Sequence, residues 1–198
     1  MQQFTVHRGT AAPLRRRDID TDQLIPGEYC KRTGRTGYAD ALFANWREEP
    51  GYLLAKPEYA DASVLVTGPN FGIGSSREHA VWALLDHGFR AVVAPSFSDI
   101  FRGNALNNGL LPVEISSAAV ERCWQLAEDD PAAIFTVDLE SCVLRCRDAA
   151  FPFAVNEYNR RMLLRGWDDI TMTLSHESAI AAYEKKRPMW LPRTLLAV

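Results

Sequence analysis

The segment Asn70-Phe71-Gly72-Ile73-Gly74-Ser75-Ser76-Arg77-Glu78-His79 shapes the centre of this chain. The segment 63–67, with three apolar residues between a serine and a threonine, precedes it and is typical of a short buried strand. Apolar residues at helical spacing follow it as far as His87, so the sequence predicts a strand, a tight turn and a helix. Backbone N–H groups at a helix start lack intrahelical partners, and the helix macrodipole favours negative charge there. The segment therefore predicts an anion site built around a serine.

The elements on either side of this segment predict an α/β fold. Two strand–helix–strand units in succession favour a parallel sheet. The expected strands cover 3–8, 63–67, 91–94, 111–115, and three short antiparallel segments at 134–139, 142–146 and 150–153. The expected helices cover 38–46, 76–87, 97–107, 117–128, 156–165 and 175–186. Together they predict a sheet layer, a second small β layer and helices on one side, whereas residues 9–60 are expected to be mostly loop.

Composition limits the classes of function. The chain has 198 residues, a net charge of −3 and 47% hydrophobic residues, which fits a single domain over 1–198 with a helical C-terminal extension over about 156–198. It has neither the clustered basic surface of a nucleic-acid-binding protein nor an apolar run of membrane-spanning length. Its start lacks a signal-peptide pattern, so we expect a cytoplasmic protein. The four cysteines form no C-x-x-C pair, so we expect this chain to bind no metal or cofactor itself.

Simpler explanations account for only part of the central segment. Gly72 and Gly74 suit a dinucleotide fingerprint, but Arg77 stands where its third glycine belongs. Ser75 and Glu78 also match a capping box, which would explain those two residues alone. An arginine in the first helical turn opposes the macrodipole unless an anion compensates it. Arg77 is therefore predicted to bind an anion.

The central segment resembles the signature of the mobile domain of the aconitase superfamily. Further similarity lies in Asp20-Thr21-Asp22-Gln23-Leu24-Ile25-Pro26 and in the segments 94–101, 104–112 and 165–187, so that it covers essentially the whole chain. The resemblance is closest to the small subunits of isopropylmalate dehydratases. It implies a three-layer β/β/α swivelling domain, in agreement with the elements predicted above.

The resemblance also implies an activity. Enzymes of this family are hydro-lyases of leucine biosynthesis that interconvert 2-isopropylmalate and 3-isopropylmalate by dehydration to isopropylmaleate and rehydration. The small subunit is active only with a large subunit, which carries a four-iron four-sulfur cluster. Two alternatives stay open: a small subunit acting on a related hydroxy acid (homoaconitate, citraconate or a dimethylmalate), and a non-catalytic phosphate- or nucleotide-binding module.

By position in the motif, the resemblance makes Ser75 the catalytic base. Ser76 and Arg77 correspond to ligands of a substrate carboxylate. Arg35 is a candidate for a second carboxylate ligand, although a solvated loop arginine would look the same in sequence. Asp22 could orient groups in the site, but a turn or cap role for Asp20 and Asp22 is equally reasonable.

The loop 28–37 lies where the family reads the substituent of the malate skeleton. It contains Lys31 and Arg32 as well as Arg35, a basic character that does not suggest an isopropyl pocket. We expect this loop to be disordered until the large subunit docks. The substrate's identity within the family thus stays open at this point.

Overall fold

A computed structural model describes residues 1–188 and 190–191. Its strands are β1 (Val6–Gly9), β2 (Ala11–Leu14), β3 (Val64–Thr67), β4 (Ala91–Ala94), β5 (Leu111–Glu114), β6 (Phe135–Asp138), β7 (Val143–Cys146) and β8 (Ala149–Pro152). Its α-helices are α1 (Thr21–Leu24), α2 (Glu78–His87), α3 (Asp99–Asn108), α4 (Ser117–Asp129), α5 (Glu157–Arg165), α6 (Asp169–Leu174) and α7 (Glu177–Lys186). None of these helices is long and apolar enough to cross a membrane.

A four-stranded parallel sheet in the order β2-β3-β4-β5 forms the middle of the molecule. Successive side chains of its strands point to opposite faces. On β3, Leu65 belongs to one apolar core, while Val64 and Val66 belong to another. The continuous apolar runs of these strands are thus explained by burial on both faces.

The two cores define three layers. Helices α2 and α3 supply buried residues to the first core, whereas the antiparallel sheet β1-β6-β7-β8 supplies Phe135, Val137 and Leu144 to the second. This confirms the predicted β/β/α arrangement. One detail was wrong: the helices do not all lie on one side, because α4 contributes Val120 and Leu126 to the second core.

The first sixty residues depart most from the prediction. Strand β2 and helix α1 lie in the region expected to be mostly loop. The helix expected over 38–46 is absent from this described segment, which instead forms turns and a short 3₁₀ helix, Ala44–Trp46. Phe43 has a left-handed backbone (φ 50°) and its ring stacks on Trp46 at 4.6 Å between centroids. Buried aromatic packing in a turn therefore produced the spacing that resembled a helix.

The C-terminal helices are only partly as predicted. Helices α5 and α7 match the expected 156–165 and 175–186 closely, and α6 was missed. No residue of α6 or α7 is buried. Residue 189 and residues 192–198, which end the expected helical extension, lie outside the described residues.

Candidate active site

Three loops meet at the carboxyl edge of the parallel sheet. Strands β2, β3 and β4 end at Leu14, Thr67 and Ala94. The segment after β3, residues 68–77, is called the serine loop below. Phe71 forms an isolated parallel bridge with Phe97, and Ile73 forms another with Asp20, so that the serine loop lies between its neighbours. This edge of an open α/β sheet is where ligands usually bind.

Backbone hydrogen bonds fix the serine loop on both sides. The Gly72 N–H donates to the Ile19 carbonyl at 2.8 Å, and the Phe71 N–H donates to the Ser96 carbonyl at 3.1 Å. Gly72 has φ +76°, and a Cβ there would lie 2.4 Å from Phe101 Cγ. Only glycine meets both conditions without strain. The close approach of loop and helix α3 explains this glycine.

Ser75 and Ser76 lie on the exposed part of the serine loop. Helix α2 begins at Glu78 with Arg77 as its N-cap, so the helix start predicted at Ser76 and the capping box of Ser75 with Glu78 were both wrong. Within the described chain, no side chain caps α2. Among the described residues, the Ala80 N–H donates to the Arg77 carbonyl at 3.1 Å, which leaves the Glu78 and His79 N–H groups of the first turn for an anion or water.

Arg77 and Asp22 are brought together by the fold. Arg77 Nη1 donates to Asp22 Oδ1 and, at 3.2 Å, to the Ile25 carbonyl. The Asp22 carboxylate raises the pKa of the Arg77 guanidinium through this hydrogen bond. The Arg77 side chain is 21% exposed, compared with 64% for Asp22. Asp22 is thus an anion that compensates the arginine at the N-cap of α2, and part of the Arg77 side chain stays exposed.

Two neighbours of Asp22 complete this corner. Asp20 caps α1, accepting from the Gln23 N–H at 2.7 Å, while Gln23 Oε1 accepts from the Asp20 N–H at 3.0 Å. A cap role, which the sequence left open for Asp20 and Asp22, is therefore correct for Asp20. Thr21 is 3% exposed, and its hydroxyl lacks a hydrogen-bond partner among the described residues. Sequence reasoning gave Thr21 no role.

Arg35 lies on another side of α2. Its guanidinium lies over the Trp82 ring, 5.9 Å from the centroid. Arg35 and Glu78 line a cleft of about 260 Å³, together with polar side chains such as Asn108 and Asp169. The structure therefore groups Arg35 with Glu78 and Trp82 and groups Arg77 with Asp22, on either side of the first turn of α2.

Asn108 lies in the family-like segment 104–112, but the sequence gave it no role in the site. Its amide donates to Glu78 Oε1 at 2.8 Å, and its Oδ1 accepts from Trp82 Nε1 at 3.0 Å, which links α3 to α2. His79, to which no chemistry was assigned, packs its ring against Tyr38 and Trp82. An amide thirty positions away from its carboxylate partner leaves no local signal in the sequence.

The loop 28–37 has a defined path in the structure. Arg32 makes two hydrogen bonds of 2.7 Å to the Asp40 carboxylate, and its guanidinium lies over the Tyr29 ring at 4.7 Å. The Tyr38 hydroxyl donates to the Arg32 and Gly34 carbonyls, both at 3.1 Å. Arg32 is therefore occupied within the loop. Disorder of this loop before docking stays a prediction.

The cysteines lie in separate places. Cys123 and Cys146 are buried, while Cys30 and Cys142 are half-buried, and all four thiols are free. Burial raises the pKa of the Cys123 thiol to about 12. Residues 1–188 and 190–191 bring together no group of three or more His, Cys, Asp or Glu side chains fit to hold a metal ion.

Comparison with known proteins identifies the family. The model of the aconitase C-terminal domain matches residues 1–118, and a model of the C-terminal domain of 3-isopropylmalate dehydratase small subunits matches residues 169–197. The 3-isopropylmalate dehydratase small subunit from Salinispora arenicola is 56% identical over 97% of this chain and 98% of its own length. The chain belongs to the 3-isopropylmalate dehydratase small-subunit family.

Other relatives agree with this family. The 3-isopropylmalate dehydratase small subunit from Acidothermus cellulolyticus is 54% identical over 98% of this chain and 98% of its own length. A crystal structure of 3-isopropylmalate dehydratase (leuD) from Methanocaldococcus jannaschii has a TM-score of 0.66 and 28% identity, covering 91% of this chain and 99% of that one. The members of this family are subunits of a hydro-lyase, so the nucleotide-binding alternative is set aside.

Proposed function

We propose that this chain forms one wall of the active site of a 3-isopropylmalate dehydratase, with Ser75 as the base. The observation that carries the proposal is the exposed Ser75 hydroxyl on a loop fixed by its neighbours, two residues before Arg77 and the uncapped start of α2. Family membership supports the substrate pair, 2-isopropylmalate and 3-isopropylmalate, and leucine biosynthesis as the pathway. We further propose that residues 1–198 form one domain and that the protein works in the cytoplasm, where free thiols are usual.

Each residue has a separate task in this proposal. Arg77 binds a substrate carboxylate through its planar fork, and Asp22 orients that fork. Ser75, as the alkoxide, takes the proton from the carbon beside the carboxylate, and the C–H electron pair forms the double bond of isopropylmaleate. The hydroxyl leaves with the C–O electron pair and becomes water by taking a second proton from a general acid on the large-subunit wall of the site. The serine returns the proton when water adds back in the other orientation. Ser76 binds the same substrate carboxylate.

A serine alkoxide needs strong stabilisation because a free hydroxyl is a very weak acid. Preorganised donors lower this cost when they point at the developing charge. The donors that follow Ser75 are the Glu78 and His79 N–H groups at the start of α2 and the Arg77 guanidinium. We propose that they act together on the substrate and Ser75. Arg35, across the first turn of α2, is proposed to bind the second carboxylate.

The proposal requires a large subunit with a four-iron four-sulfur cluster. The scattered cysteines of this chain suit buried thiols better than cluster ligands, so the cluster is assigned to the partner. When bound there, it supplies a Lewis acid for the leaving hydroxyl. We expect the purified chain to be colourless and inactive and to gain activity on mixing with a cluster-bearing large subunit.

The test uses this reconstituted pair and follows alkene formation from each isopropylmalate by absorbance. Ser75→Ala should lower kcat by several powers of ten while assembly, measured by sedimentation, is unchanged. Ser116→Ala is the matched control, because Ser116 caps α4, accepting from the Ala119 N–H at 3.2 Å. It should cost about 1 kcal/mol of stability and preserve turnover. Full activity of the Ser75 variant, or of the chain alone, would refute the proposal.

A substrate panel separates the isopropylmalates from related acids. The basic loop 28–37 does not by itself suggest an isopropyl pocket. Arg32 is paired with Asp40, so one of the positive charges of this loop is balanced. We expect the reconstituted enzyme to have a higher kcat/KM for the isopropylmalates than for homoaconitate, citraconate or dimethylmalate. A higher value for another acid would keep the reaction class and change the substrate.

A further inference from the structure

Two left-handed residues face each other at the base of the serine loop. Asp18 has φ 55° and Asn70 has φ 60°. Residues other than glycine rarely adopt this conformation, although Asn and Asp tolerate it best. Asn70 Nδ2 donates to Asp18 Oδ1 at 2.7 Å, so the two unusual residues are joined by their side chains.

This pair interrupts an otherwise regular pairing. Leu14 stands opposite Thr67 before the interruption, and Asp20 stands opposite Ile73 after it, so the register is the same on both sides. Between them, the Asp18 N–H donates to the Pro69 carbonyl at 2.9 Å and the Gly68 N–H donates to the Arg16 carbonyl at 2.8 Å. The segment after β2 and the segment after β3 therefore leave the sheet together and return to the same register.

The third loop is tied to the same point. The Asn70 N–H donates to Ser96 Oγ at 2.9 Å, and Ser96 Oγ donates to Asn70 Oδ1 at 3.1 Å. Asn70 thus bonds to the loop after β2 and to the loop after β4. It lies five residues before Ser75 in the same loop.

We propose that Asp18 and Asn70 are positioning residues that set the serine loop in its active conformation. Their side-chain bond holds two left-handed backbones, and these direct the loop toward Gly72 and Ser75. Neither side chain needs to touch the substrate. This inference rests on the proposed function for its catalytic consequence, whereas its structural part stands on the isolated chain.

The first readout is hydrogen exchange of the full isolated chain. The Phe71 and Gly72 N–H groups bond to carbonyls of the two neighbouring loops, so their exchange reports how firmly the serine loop is held. Asp18→Gly and Asn70→Gly keep the left-handed backbone accessible and remove the side-chain bond. Each should speed exchange in 69–74 by about tenfold. Asp18→Asn retains the acceptor and should exchange as the unchanged chain does.

The second readout is turnover of the reconstituted pair. Misplacing a base by about an ångström costs up to roughly 100-fold in rate. Asp18→Gly and Asn70→Gly should therefore lower kcat by about tenfold to 100-fold with little change in KM, and the double variant should be no slower than either single one. Asp18→Asn should restore kcat to within about twofold.

Arg147→Gly is the matched control. Arg147 is also left-handed (φ 52°) and also bonds a partner, Asp130, at 2.6 Å, but it lies in the β7–β8 turn. It should change neither exchange in 69–74 nor kcat. Unchanged exchange in both glycine variants would overturn the inference, and so would faster exchange with unchanged kcat. An inactive unsubstituted pair would instead refute the proposed function, while exchange alone would still decide whether the bond holds the loop.

Discussion

Arg77 has two negatively charged partners in the proposed mechanism, Asp22 and the substrate carboxylate. Arg77→Lys keeps the charge and removes the planar fork, which a lysine cannot replace. We expect KM for the isopropylmalates to rise by about tenfold to 100-fold, with a smaller change in kcat. The free energy of unfolding should fall by less than about 1 kcal/mol, because Asp22 is largely exposed. Steady-state kinetics and urea unfolding measure both.

Arg102→Lys controls for the general effect of weakening an arginine–carboxylate pair. Arg102 pairs with Glu114 at the surface, and both are partly exposed, as Arg77 and Asp22 are. Its kinetics should equal those of the unsubstituted pair. If Arg77→Lys left KM unchanged, Arg77 would be a structural partner of Asp22 and no ligand of the substrate.

The sequence predicted the part of the candidate site that is contiguous. Ser75, Ser76 and Arg77 stand side by side, so their grouping did not depend on the fold. The contact of Arg77 with Asp22, fifty-five positions away, and the approach of Arg35 to Trp82 depend on how the loops fold over α2. Such long-range pairing leaves no local periodicity, so only the family resemblance pointed to Asp22 and Arg35.

At the scale of elements, Gly72 is where the serine loop and helix α3 come closest. Gly72→Ala places a methyl group 2.4 Å from Phe101 Cγ and gives alanine a φ of +76°. Overpacking and backbone strain together should lower the free energy of unfolding by about 2–4 kcal/mol. The loop should also shift, so kcat should fall with it. Urea unfolding and turnover of the reconstituted pair check the two effects.

Alanine substitutions at two other glycines distinguish the effect of a steric clash from the effect of backbone strain. Gly37 has φ +88° but no atom within 4 Å of an added Cβ, so Gly37→Ala should show strain alone, about 1 kcal/mol. Gly103 lies in α3 with open space around it, and Gly103→Ala should stabilise the chain by up to about 1 kcal/mol. Equal effects at Gly72 and Gly37 would mean that Phe101 moves aside without cost.

The elements that sequence predicted well are those with an unbroken apolar pattern. Strands β3 and β4 are buried on both faces, and all their residues are apolar except Thr67 at the end of β3. Strand β2 was missed because Ala11-Ala12-Pro13-Leu14 is short and contains a proline. It is an edge strand of the parallel sheet, the position where a residue without an N–H is tolerated. An edge position is a property of the sheet and cannot be read from four residues.

At the scale of the whole molecule, stability depends on the contact between layers, which includes a histidine. His7 lies on β1 of the antiparallel sheet, and its Nε2 hydrogen-bonds with Ser63 Oγ at 2.8 Å, just before β3 of the parallel sheet. Burial, assisted by the charge of Arg90, lowers the pKa of His7 below its usual 6.5. Burial also lowers the pKa of His87, whose Nδ1 has no hydrogen-bond partner among the described residues.

These two histidines predict the first acid-sensitive step in stability. Below pH 6.5 the unfolded chain binds protons at His7 and His87, whereas the folded chain does not yet bind them. The free energy of unfolding therefore decreases as the pH is lowered, until the pH passes the native pKa values of the two histidines. Above that range their contribution is constant. Urea unfolding from pH 8 to pH 5 should show this slope, and His7→Gln with His87→Phe should flatten it, since glutamine can still bond Ser63 and phenylalanine can keep the stack on Phe89. A slope equally steep in the double variant would place the loss in other groups. Asp18 and Asp138 are not among them, because their lowered pKa values mean that their stabilising contribution is lost only at more acidic pH.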